Sequence, residues 1–132
     1  MSPETQQKSA AGDHSITLSS IERALSLACL APPAQDREVA AGFASDVLSE
    51  VLARAPRGCL LVTAQSNLNL IAVAAHLEIA GIIVTSGYLP GREALARARE
   101  EGIALYSTPS ETFDVVANLS RLGLKGRLRS AQ

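Results

Sequence analysis

Between residues 38 and 122, short apolar runs alternate with longer segments whose apolar residues recur every three or four positions, and polar residues fill the joints. The runs at 59–63, 81–85 and 103–106 are rich in strand formers, and Gly81 with Ser86-Gly87 bounds the clearest of them. Unbroken apolarity at 59–63 predicts a central strand covered on both faces. A fourth extended stretch, 38–44, contains Gly42, which weakens it as a strand.

The intervening segments carry helical spacing and helix punctuation. Val47, Leu48, Val51, Leu52 and Ala55 form an amphipathic stripe that Ser45 is placed to cap, that Asp46 favours electrostatically and that Pro56 ends. Residues 67–77 are apolar on nearly every side, which predicts a helix buried on more than one face, with Asn67 as a candidate cap. Residues 92–101 form a charged helix with Ala94, Leu95 and Ala98 inside, a Glu93–Arg97 pair outside, and Gly102 as a left-handed stop. Thr108-Pro109-Ser110-Glu111 places a cap, a first-position proline and a capping-box glutamate in register, so the last helix is expected over about 109–122. At the other end, Ser19-Ser20-Ile21-Glu22 opens a helix expected to run to about Ala28, with Ile21 and Leu25 inward, before Pro32-Pro33 breaks it.

Alternation of this kind implies right-handed crossovers and an α/β fold with a mainly parallel sheet and helices packed on it. The chain divides into a polar, disordered lead over 1–15, one α/β domain over 16–123 and a short basic tail over 124–132. With 132 residues and 47% hydrophobic composition it can bury roughly two thirds of its unfolded surface. Twelve Lys and Arg against thirteen Asp and Glu leave a net charge of −1, which disfavours nucleic acid and anionic membranes as partners. Lys125, Arg127 and Arg129 lack interleaved aromatics and read as a solvated end.

Cys29 and Cys59 show neither CxxC nor Cys/His spacing, so both are expected as buried free thiols. No signal-peptide pattern and no apolar stretch of membrane-spanning length is present, so a cytoplasmic, soluble protein is expected.

Ligands of open α/β sheets gather beyond the carboxyl ends of the strands. Four joints fall there: 42–46, 63–69, 85–88 and 107–110. Their side chains give the candidate ligand-binding set Ser45, Asp46, Thr63, Gln65, Asn67, Asn69, Ser86 and Thr108. Ser45, Asn67 and Thr108 have capping as a competing role, and Asp46 is also a first-turn charge. Gln65 and Asn69 have no such role, and an unpaired amide in apolar surroundings costs ~1–3 kcal/mol, so they stand out. No catalytic residue, metal site or cofactor is expected. His76 has no metal-spaced neighbour and is assigned to packing or an interface, His14 lies in the lead, no histidine completes a triad, and phosphate-loop glycine motifs are missing.

Three blocks, Asp36 to Ser49, Thr63 to Ala74 and Thr108 to Phe113, resemble in order the stand-alone DRTGG-domain family over about residues 16–123. The resemblance implies an α/β domain related to the N-terminal domain of HPr kinase/phosphorylase and to modules of phosphotransacetylases and regulatory pyrophosphatases. There the domain is a regulatory or dimer-forming accessory. Small stand-alone members occur beside iron-only hydrogenase or NADH-oxidising subunits, and some carry a serine-kinase-like description that does not transfer to a chain without a phosphate loop. Gln65-Ser66-Asn67-Leu68-Asn69 replaces the glycine-rich loop of the family name, a form similar to the hydrogenase-associated branch.

The expectation is a non-enzymatic regulatory or adaptor domain, a homodimer, that binds a small polar ligand such as an adenine nucleotide or a redox-enzyme partner of hydrogenase type. The alternative is a phosphotransfer protein modified at Ser45 or Asp46, where a helix N-terminus would favour phosphate. A third reading is structural association through the apolar helix 67–77 with Ile79.

Overall fold

The computed structural model describes residues 15–127; residues 1–14 of the expected lead, with His14, and the tail beyond Arg127, with Arg129, lie outside the described residues. In chain order the elements are α1 (Leu18–Leu25), β1 (Ala28–Ala31), β2 (Ala41–Ala44), α2 (Leu48–Arg54) and β3 (Cys59–Thr63). They continue with α3 (Leu68–Leu77), β4 (Gly81–Val84), α4 (Arg92–Glu101), β5 (Ala104–Ser107) and α5 (Thr112–Arg121).

The five strands form one sheet in the order β1-β5-β4-β3-β2, in which β2 to β5 are parallel and β1 pairs antiparallel with β5. Each strand from β2 onward is followed by a helix, so successive strands return in the same direction. β3, β4 and β5 are buried along their whole lengths because helices cover both faces. On one face α2, α3 and α4 contribute Val51, Leu70, Ile71, Ala74, Ala94 and Ala98 to a core with Leu61, Ile82 and Leu105. On the other face α1 and α5 contribute Leu18, Ile21, Val115 and Leu119 against Leu60, Val62, Ile83 and Tyr106. The expected α/β architecture is therefore the one observed.

Several expectations are corrected in detail. α1 stops at Leu25, where Ser26 takes a left-handed conformation (φ 54°) and its amide caps the carbonyls of Arg23 and Glu22. Residues 28–31, counted partly in that helix, turn back as β1. The capping box is formed by Thr17 and Ser20, two residues earlier than Ser19-Glu22 suggested. On α4, Arg97 pairs with Glu101 at 2.9 Å and not with Glu93. α5 begins at Thr112, with Glu111 at the cap and no side-chain capping bond, so Thr108 and Glu111 do not make the expected box.

Cys59 is buried in the core, but Cys29 lies exposed on β1, contrary to the expected pair of buried thiols. Past α5, Leu124 is buried, the Gly42 amide donates to the Lys125 carbonyl at 2.8 Å, and Gly126 forms a parallel bridge with Gly42. A Cβ on Gly42 would meet Leu124 Cδ2 at 3.3 Å, so the bare backbone lets this segment lie against β2.

Candidate functional site at the carboxyl edge of the sheet

Because β2 to β5 are parallel, their carboxyl ends share one edge, and all four polar joints meet there. Backbone bonds lace the joints together: Ser45 N to Val62 O (3.2 Å), Thr85 N to Thr63 O (2.9 Å) and Thr108 N to Val84 O (3.1 Å).

On the side of α2 and α3, Asp46 is the clamp. Its Oδ1 accepts from Thr63 Oγ1 at 3.0 Å and from the Ala64 amide at 2.8 Å, joining the β2 and β3 joints. Thr63 is fully buried, and its hydroxyl also accepts from the Gln65 amide at 2.9 Å. Gln65 Oε1 accepts from the Asn67 amide at 3.2 Å, and Asn67 Oδ1 accepts from the Asn69 amide at 2.7 Å. Asn67 is thus the cap of α3, as the sequence suggested. Gln65 is half-buried and supports a turn, and Asn69 is exposed, so neither sits as a lone amide in apolar surroundings. Ser45 does not cap α2 as its boundary residue; Val47 does. The Ser45 hydroxyl accepts from the Val47 amide at 3.1 Å and donates to Glu50 Oε1 at 2.6 Å.

On the side of α5, Thr85 is fully buried and its hydroxyl lies 2.6 Å from that of Thr112 and 3.4 Å from the Thr63 carbonyl. This pair links the β4 joint to α5 and to the β3 joint. Ser86 adopts a left-handed conformation (φ 64°), as does Gly87 (φ 77°). A non-glycine residue there persists only when its surroundings hold it. The holding bonds run from Ser86 N to Ser110 O (2.8 Å) and from Gly87 N to Thr108 O (3.0 Å). Thr108 is buried, and its hydroxyl accepts from the Ser110 amide at 3.2 Å.

All eight candidate residues therefore lie on this edge, with Asp46, Thr63, Gln65 and Asn67 in one chain of hydrogen bonds and Ser86 and Thr108 in a second group. Sequence reasoning missed Thr85 and Thr112 as a pair. They lie 27 positions apart, and only the register of β4 against β5 brings them together. Asp36, outside the edge, accepts from the Ser19 hydroxyl and amide, which hold its carboxyl below the usual range. His76 is exposed in the last turn of α3, at the opposite end of that helix from the site. Among the described residues no cluster of His, Cys, Asp or Glu could hold a metal ion, and no helix is long and apolar enough to cross a membrane.

The fold and edge define a three-layer α/β domain with a hydrogen-bonded polar rim where its parallel strands end. The family model of the DRTGG domain matches residues 28–122, and the chain belongs to that family. In fold it is similar to the crystal structure of the CBS and DRTGG domains of the regulatory region of Clostridium perfringens pyrophosphatase, complexed with its activator, diadenosine tetraphosphate. The TM-score is 0.69 at 17% identity, over 80% of this chain and 46% of that one. The chain thus spans less than half of that structure. None of the curated proteins matches it.

Proposed function

We propose that this DRTGG domain is a non-enzymatic regulatory or adaptor module of the cytoplasm that binds a small polar ligand, an adenine nucleotide foremost, at the carboxyl edge of its sheet. The observation that carries the reading is the convergence of four polar joints on one edge, two of them joined through Asp46 and two through Ser86 and Thr108. The amide ends of α3 and α5 lie at the same rim, where anionic groups are favoured. A nucleotide activator accompanies the pyrophosphatase regulatory region of similar fold, which supports the ligand class.

Isothermal calorimetry against AMP, ATP and diadenosine tetraphosphate tests this. Binding weakened at least tenfold by Gln65→Ala combined with Asn69→Ala is the expected result; no heat at millimolar ligand defeats it. The Asp46 carboxylate already accepts two bonds, and the Ser45 hydroxyl is engaged with Glu50, so the geometry favours structural roles for them over phosphotransfer.

The same reading includes a homodimer, a hydrogenase-type redox enzyme as docking partner, and kinship with the N-terminal domain of HPr kinase/phosphorylase. Tyr88 (57% exposed) at the end of the β4 joint, Leu89 (67%) just after it and Phe113 (83%) in the first turn of α5 support a partner-facing surface.

A further inference from the structure

The solvent side of α5 combines an apolar side chain with charges that find no partner in the single chain. Val115 and Leu119 are buried against the sheet and the Thr112 hydroxyl meets that of Thr85. The opposite side of the helix therefore carries the row Phe113, Ala117 and Arg121, with Asp114 and Ser120 beside it. Phe113 is 83% exposed, more than any other large hydrophobic residue among those described. A phenyl ring held in water there gains nothing from the hydrophobic effect until something covers it.

The charges are divided by end. Glu111 at the cap and Asp114 in the first turn lie at the amino end of α5, and Arg121 in the last turn and Lys125 just beyond it lie at the carboxyl end. Among the described residues none of the four is in an ion pair, and Arg121 donates to Asn118 of its own helix at 2.6 Å. Asp114 and Arg121 are seven positions apart, which puts them on one side of the helix but about 10 Å apart along it, too far to pair with each other. Two copies of α5 packed side by side in the same direction set carboxylate beside carboxylate. Packed antiparallel about a two-fold axis at Ala117, they set Asp114 of each copy beside Arg121 of the other and lay Phe113 along that arginine. Ala117 and Ser120 are small enough to let the two helices approach closely.

We propose that this face of α5 is the contact between two copies of the chain, packed antiparallel with Ala117 on the two-fold axis. The inference rests on the homodimer of the functional reading and names its surface. Because the amino end of α5 lies at the carboxyl edge of the sheet, antiparallel pairing sends the two edges to opposite ends of the dimer and leaves each open to its ligand. Sedimentation velocity of the full chain and its variants tests it. Asp114→Arg alone and Arg121→Asp alone set like charges together, and each weakens the dimer by about tenfold or more. Phe113→Ser, at an exposed position that the fold does not need, weakens it to a similar degree. Asp114→Arg combined with Arg121→Asp returns the dimer to within roughly threefold of the parent. Each swap opposes the helix dipole, so recovery in the double variant does not come from a more stable helix. Circular dichroism spectra that match the parent's show the variants folded. A parent dimer indifferent to Phe113→Ser and to both single swaps keeps the homodimer and overturns this face, and single swaps that dissociate it without recovery in the double variant overturn the antiparallel pairing. A parent that stays a single chain at every concentration removes the homodimer and this face with it.

Discussion

At the residue scale, the site is a set of partnered hydroxyls more than a set of free ones. Thr85 is fully buried, and its hydroxyl pairs with Thr112. Thr85→Val keeps the shape but leaves Thr112 with one partner fewer, so a loss of about 1–2 kcal/mol in urea unfolding is expected. Thiol chemistry gives a second test. Burial pushes the Cys59 thiol up to about 11, and burial, then the nearby Glu22 carboxylate, raises Cys29 as well. At pH 8 the folded protein should therefore react slowly with Ellman's reagent at the exposed Cys29 and not at Cys59, and with both once unfolded. Two equivalents from the native state would contradict the burial of Cys59. Raised thiol values stabilise the fold below the ordinary range of about 8.5, and for Cys59 that contribution is lost as the pH climbs through about 11.

Among the elements, helix bodies were easier to read than their ends. α4 spans the ten residues that its stripe and Gly102 indicated, because a left-handed glycine (φ 70°) is a local cause of a helix stop. β1 was missed for an opposite reason. Its four residues have no period-two pattern, and they become a strand only because β5 supplies the partner. Asp36 ties the loop after β1 to the first turn of α1, through Ser19 Oγ at 2.6 Å and Ser19 N at 3.0 Å. Its lowered pKa means that the contribution is present above the ordinary carboxylate range and disappears as the pH falls through the folded value. Asp36→Asn should therefore lower the melting temperature at pH 7 and converge with the parent near pH 2. A difference that persists undiminished in acid would show that the charge is not involved.

For the whole molecule, the proposed homodimer is checked by multi-angle light scattering. A particle of twice the chain mass at micromolar concentration is expected, and the single-chain mass at every concentration removes the dimer. Leu68 on α3 is 39% exposed while Leu70, Ile71 and Ala74 are buried within the domain, so most of the apolar face of that helix is spent on its own core. The alternation of strands and helices, the parallel sense of four strands and the address of the polar joints were legible in the chain, since periodicity, capping residues and short connections act locally. The antiparallel closure of the sheet by β1, the meeting of Thr85 with Thr112, the bonds of Asp46 and Gln65 within the rim and the packing of Leu124 beside β2 emerge from the folded arrangement alone. Those features depend on the register between strands distant in the chain, which no local pattern encodes.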